Sequence, residues 1–299
     1  MRTTTLFMLS LAAFMLSLAA LYAAPAAAEC APRFTQATQT VNVNASDVGN
    51  SAVARENFDI RVGNDQTGSC SARLRFSSLT GGEQRPDSGF QLVSGNQEID
   101  ILPDENSAPS TKSDLFVPGI AGRSNGRAVP FRLAFATPWG ILSGVRQTEI
   151  LVNLIDEGGV VVDTMILYLN FSVPDAVDLR IVGATGNDSV AEIRLGRLDS
   201  RQTNRSDPFA IRVWSTSPYS IAFESENIGN LMQDGGPDRI PYTLRLGGQE
   251  VPLSGTIAKT VGSATGTLGD IHPLQVEVEP FVANAGDYTD RVSVTVTAG

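Results

Sequence analysis

The chain has 299 residues, of which 42% are hydrophobic, 18% charged and 7% aromatic, and its formal net charge is −10. That length suits two domains, each able to bury its own core. The acidic balance excludes nucleic acid and anionic lipid as favoured partners, because both reward basic patches.

In chain order the first element is an export signal, residues 1–28. Arg2 gives a short positive start, residues 6–23 are an almost unbroken apolar run, and Ala26-Ala27-Ala28 offers a small-residue cleavage site. Cleavage between Ala28 and Glu29 leaves a mature protein of roughly 270 residues outside the cytoplasm. The run is also long enough to be retained as a membrane anchor. Cys30 and Cys70 are the two cysteines, and an even pair in an exported chain reads as a disulfide. Lipid attachment at Cys30 is disfavoured, since it wants a small residue before the cysteine and Glu29 is charged.

Beyond the signal, helical periodicity is nearly absent. Short runs with period-2 alternation occur at 38–43, 58–62, 72–76, 131–135, 149–154 and 165–171. The second half adds 178–182, 192–195, 209–214, 220–223, 242–246, 274–278 and 291–297. Each is bounded by Gly, Asn, Asp, Ser or Pro, and strands at this spacing predict an all-β chain of β-sandwiches. The polar stretches 81–94 and 103–113 read as long loops, and the Gly/Thr/Ser-rich stretch 256–269 as a mobile surface loop. Pro174-Asp175 divides the chain into a domain at 29–174 and a domain at 175–299, coupled semi-rigidly by a short linker.

One segment is used twice. Pro138-Trp139, Gly144 and Ile150, Val152, Leu154 return as Pro280-Phe281, Gly286 and Val292, Val294, Val296, every landmark offset by 142 residues. After the first copy come a turn at 156–159 and another apolar strand over 160–173. After the second copy the sequence stops at Gly299. The expectation is that the second domain lacks a final strand its sibling carries.

The second half contains Phe209-Ala-Ile-Arg-Val-Trp-Ser-Thr-Ser-Pro-Tyr219, then Ser220-Ile-Ala-Phe-Glu-Ser-Glu-Asn-Ile-Gly229, then Ile240-Pro-Tyr-Thr-Leu-Arg-Leu-Gly-Gly248. It closes with Ala285-Gly-Asp-Tyr-Thr-Asp-Arg-Val-Ser-Val-Thr-Val296. In these segments it resembles the spore coat protein U domain, the pilin-type module of archaic (Csu-type) chaperone–usher pili. The first half shares only its terminal segment, 143–154. The resemblance implies two immunoglobulin-like sandwiches in tandem, the C-terminal one incomplete. It also implies a strand lent by a periplasmic chaperone and replaced, at an outer-membrane usher, by the donor strand of a neighbouring pilin subunit. The chain would cross the inner membrane to the periplasm and end on the cell surface as part of a fimbrium. Because Glu29 is followed at once by Cys30, no donor segment is expected, which fits a two-domain tip adhesin whose first domain meets a host or abiotic surface. A minor or adaptor pilin, or a self-standing secreted carbohydrate-binding sandwich, are the alternatives.

The acceptor groove is expected along Val292, Val294 and Val296, with Tyr288 nearby and Ser293, Thr295 and Thr297 on the opposite face. Trp139, Ile141 and Leu142 form a candidate adhesive loop, although Phe281-Val282 at the matching place favours a packing role. The loops around Phe90 and Leu115-Phe116 are equal candidates. His272 is the only histidine, so a catalytic triad has no spare member, and beside Pro273 it reads as a surface or strand-edge residue. Asp234 and Asp238 read as a solvated turn rather than a calcium loop. Tyr219, Tyr242 and Tyr288 read as sandwich aromatics rather than a sugar platform. No phosphate loop, CxxC or HExxH occurs, so no cofactor, metal or enzymatic activity is expected.

Overall fold

The computed structural model describes residues 30–79, 89–123, 125–187 and 190–299. The export signal and its Ala28–Glu29 cleavage site lie outside the described residues. Among the described residues the first half forms ten strands: β1 (Pro32–Phe34), β2 (Thr38–Asn44), β3 (Val53–Asn64), β4 (Cys70–Ser78), β5 (Phe90–Ser94), β6 (Gln97–Glu98), β7 (Asp114–Ile120), β8 (Arg127–Ala136), β9 (Gly144–Ile155) and β10 (Val161–Val173). The second half forms β11 (Val177–Val182), β12 (Thr185–Gly186), β13 (Ala191–Glu192), β14 (Asn204–Arg205), β15 (Phe209–Ser215), β16 (Tyr219–Ser225) and β17 (Asn230–Gln233). It continues with β18 (Arg239–Pro241), β19 (Thr243–Leu246), β20 (Gln249–Glu250), β21 (Ser254–Val261), β22 (Asp270–Val278), β23 (Tyr288–Thr289) and β24 (Val292–Ala298). The all-β expectation holds, with two sandwiches in tandem.

The first sandwich packs the sheet β1-β3-β8-β5-β6 on the sheet β2-β10-β9-β4-β7. Alternation drives it: Ile150, Val152 and Leu154 on β9 and Leu167, Leu169 and Phe171 on β10 are completely buried, while the residues between them, Leu151 and Asn153, Ile166, Tyr168 and Asn170, are half-exposed on the other face. The chain crosses from one sheet to the other between β1 and β2, so that β1 pairs with β3 while β2 lies parallel to β10, Val43 opposite Phe171. The Cys30–Cys70 disulfide joins the entry of the chain to the start of β4, with Cα atoms 5.7 Å apart.

In the second sandwich, β11-β15-β22-β19-β20 faces the three-stranded β21-β16-β24, and Ile211, Val213, Tyr219, Ile221, Phe223 and Leu274 fill the space between. A small sheet, β18-β17-β23, closes one end over Ile240, Tyr242 and Val278. Among the described residues the strands before Pro174 pair with each other, and so do those after it.

Three expectations need correction. Phe90–Ser94, read as loop, is the strand β5, because Leu92 and Ser94 are buried and Phe90 pairs with Phe135 while Gln91 faces out. Ser254–Val261, assigned largely to a mobile loop, is the edge strand β21 on β16; its Thr and Lys content reflects a solvent-facing edge. Of 192–195 only Glu192 lies in a strand, since Leu195 contributes its side chain to the end cluster without pairing its backbone.

The halves meet through a compact junction. Thr216, 1% exposed, donates its N–H to Ala176 O (3.0 Å) and its hydroxyl to Pro174 O (2.9 Å). The hydroxyl oxygen accepts from Ala176 N (2.9 Å), and Thr216 O accepts from Ser143 N (2.8 Å). Gly140 approaches so closely that a Cβ there would lie 2.8 Å from Thr267 Cγ2, and its φ of +94° also demands glycine. Trp214 packs toward the first core with the guanidinium groups of Arg180 and Arg212 5.4 and 5.8 Å from its ring.

Candidate functional site: the open edge of the second sandwich

The repeated segment preserves its register as well as its sequence. In the first half Leu74, Phe76 and Ser78 of β4 lie opposite Leu154, Val152 and Ile150 of β9. In the second half Ile221, Phe223 and Ser225 of β16 lie opposite Val296, Val294 and Val292 of β24. The two ladders superimpose in register, and each alternation is set by the same face being apolar.

They differ on the other side. β9 is also paired to β10, with Leu167 opposite Ile150 and Met165 opposite Val152. Among the described residues β24 pairs with β16 alone. Consequently Ile150, Val152 and Leu154 are 0% exposed, whereas Val292, Val294 and Val296 are only half-buried. The facing wall comes from the other sheet: β11, which among the described residues pairs with β15 alone, lies against β24 and carries half-buried Val177, Leu179 and Ile181, packed on the same core. Six half-buried aliphatic side chains thus meet along the seam between two sheet edges. Completing their burial is worth about 1 kcal/mol each, half of the usual full value.

Both ends of β24 are pinned although one flank is free. At its start the Asp290 carboxylate accepts from Ser225 Oγ (2.6 Å), Tyr242 Oη (2.6 Å) and Asn227 Nδ2 (2.9 Å). Burial, and then the bond to Asp290, raise the Tyr242 hydroxyl far above the usual phenol value, so it remains a donor. Tyr288 lies just before, in β23, its hydroxyl donating to Asn284 O (2.8 Å) and its ring packed with Val292 over the end cluster. It caps the cleft rather than lining its length.

At the far end Tyr219 lies opposite Ala298, and Gly299 N donates to Pro218 O (3.0 Å). Here sequence reasoning misplaced His272. It is 5% exposed and faces the interior of β22, because Tyr219 Oη lies 2.7 Å from its Nε2 and satisfies it there. The Lys259 ammonium, which can only donate, is 3.1 Å from Nδ1. Nδ1 is therefore the acceptor, Nε2 carries the proton and donates to Tyr219, and Tyr219 donates to Asp270 (2.8 Å). Burial, then the Lys259 charge, lower the His272 pKa against an opposing pull from Asp270. A histidine whose folded pKa lies below its unfolded value stabilises fully above the unfolded value of about 6.5. That contribution is lost as pH falls from there through the folded value. The second half is expected to show a lower urea midpoint at pH 5 than at pH 7.5, and His272→Asn to flatten the difference. An equal slope in the variant would remove His272 from this role.

The other candidates are scattered. Trp139 and Ile141 are buried, 9% and 6% exposed, in the first core beside the junction; of that loop Leu142 alone is open, at 56%. Phe90 packs against Phe171, whereas Phe116 is exposed in a cross-strand row with Arg73, Ile155 and Val161. The Asp238 carboxylate accepts from Asn284 N (2.7 Å) in the turn after β17. Among the described residues no three His, Cys, Asp or Glu side chains converge to hold a metal.

No protein-family model matches the chain, so the spore coat protein U resemblance gains no support from one, and none of the curated proteins matches it. Among solved structures it is similar to a chain of the CsuC–CsuE chaperone–tip adhesion subunit pre-assembly complex from archaic chaperone–usher Csu pili of Acinetobacter baumannii. That match has 13% identity over 90% of this chain and 99% of that chain, with a TM-score of 0.46. CfaE, the adhesive subunit of CFA/I fimbria of enterotoxigenic Escherichia coli, matches with 13% identity over 87% and 92% and a TM-score of 0.41. With identities this low and TM-scores below 0.5, function rests on the chain's own geometry.

Proposed function

We propose that this protein is a non-enzymatic adhesive subunit of a chaperone–usher pilus. In this reading residues 175–299 take up an extended strand in the cleft between β11 and β24, and residues 29–174 form a complete domain that is presented to a surface. The observation that carries it is the difference between two otherwise matching strands: β9 is buried between β4 and β10, while β24 keeps one flank free and its three valines half-open. An apolar edge of that kind recruits a strand through main-chain hydrogen bonds and alternate side chains, and left bare it invites aggregation. The partners are a periplasmic chaperone, an outer-membrane usher and a neighbouring pilin subunit.

The test is to express the full chain in a bacterial periplasm with and without a chaperone of the chaperone–usher class. The expected result is a stoichiometric complex in which the amides of β24 become protected from hydrogen exchange, and poor recovery without the chaperone. A stable lone monomer whose β24 amides exchange as slowly as those of β9 overturns the proposal.

A further inference from the structure

The outward face of the sheet β1-β3-β8-β5-β6 carries a cavity of about 370 Å³ that is remote from the strand cleft. Its origin is local. β8 is a central strand, and outward it shows mostly small residues, Ala128, Pro130 and Ala134, between buried Val129, Phe131, Leu133 and Phe135. Its neighbour β3 presents longer polar side chains at the same level, Asn57 opposite Arg132 and Asp59 opposite Pro130. On the other flank β5 brings Val93 opposite Arg132 and then turns away at Gly95, whose φ of +58° starts the tight link to β6. A hollow results, walled by Asn57, Asp59, Arg132 and Val93 and floored by Pro130.

The polar groups around it are unspent. Among the described residues none of the side chains of Asn57, Asp59 and Arg132 has a hydrogen bond or ion pair, although carboxylate and guanidinium share one hollow. Together they supply an anionic acceptor, a multiple donor and an amide that does both. One charge of each sign in the same hollow, not paired to each other, gives no net preference for an anion or a cation. A neutral pyranose fits this set: its hydroxyls both donate and accept, and its C–H face can rest on the proline ring and Val93. The volume lies in the range of small-ligand sites.

We propose that this cavity binds a neutral pyranose residue of a glycan, with Asp59 and Asn57 accepting from sugar hydroxyls and Arg132 donating to a hydroxyl or ring oxygen. The proposal deepens the reading of the first half as the presented domain and is independent of strand uptake by the second. Saturation-transfer NMR on the full chain, with methyl glycosides of mannose, galactose, glucose and N-acetylneuraminic acid, tests it. At least one neutral glycoside is expected to bind with a Kd on the order of 1 mM. Asp59→Ala and Arg132→Ala should each weaken that binding about tenfold or more, while Arg61→Ala on the same face leaves it unchanged. Absence of binding by every neutral glycoside, binding of N-acetylneuraminate alone, or binding insensitive to both cavity variants overturns the proposal. Hydrogen exchange at β24 in the same samples reads the strand cleft separately, so loss of one reading is distinguished from loss of the other.

Discussion

A chain in which residues 156–173 are repeated directly after Thr297 is expected to melt its second half about 10–20 °C higher than the parent. The graft point follows from the register: Thr297 occupies the place of Ile155, so the first sandwich's own turn and β10 would run on in frame beside β24. Antiparallel to β24, the added strand would aim Met165, Leu167, Leu169 and Phe171 into the cleft, the same residues that are buried against β9 in place. Burial of these side chains, completion of burial for the six aliphatics and the new main-chain hydrogen bonds to β24 act together against the ordering entropy of the added strand, and the shift in melting reads their balance. Differential scanning calorimetry should show one transition moved and the other, from the first sandwich, unmoved. The same graft carrying Leu167→Asp and Leu169→Asp should lose the gain. An unshifted second transition with the unaltered graft would mean that β24 has no vacancy of this shape.

Val294→Asp is expected to abolish strand uptake while leaving the free protein folded. Val294 faces Phe223 from a strand with one open flank, so in the free chain a carboxylate can turn toward water. Once a strand closes the cleft it cannot. To enter uncharged at pH 7 it must be protonated about three units above its ordinary pKa, a cost of about 4 kcal/mol or roughly a thousandfold in affinity. The loss should therefore shrink as pH is lowered toward 5, which separates a buried carboxylate from a merely misfolded variant. Binding by Val294→Asp at parental affinity would place the strand elsewhere. The equivalent change at fully buried Val152 lacks the escape to water and should unfold the first sandwich.

The sheet interiors were legible because their information is local. Alternation alone places Ile150, Val152 and Leu154, and the 142-residue offset correctly anticipates that Val292, Val294 and Val296 share their ladder. What failed depends on lateral neighbours. The strand β21 reads as loop because its outer flank meets water and needs no apolar residues. His272 reads as exposed because nothing adjacent reveals that Tyr219, 53 positions away in sequence, supplies its partner. Asp290, the anchor of β24, collects Ser225 from β16 and Tyr242 from the link between β18 and β19, and a lone Asp before a strand carries no signal of that. The hollow on the first sandwich is invisible for the same reason, since Asn57, Val93 and Arg132 become neighbours only across three strands.

Thr216 gives the junction a mechanical character. Its amide, hydroxyl and carbonyl are all engaged with 143 and 174–176, in a spot closed to water. A swivel needs backbone that can turn without losing partners, and here every polar group of the pivot residue would be stranded by a turn. In the proposed pilus, load applied along β24 would therefore reach the first sandwich through this fixed pivot and not through a slack hinge.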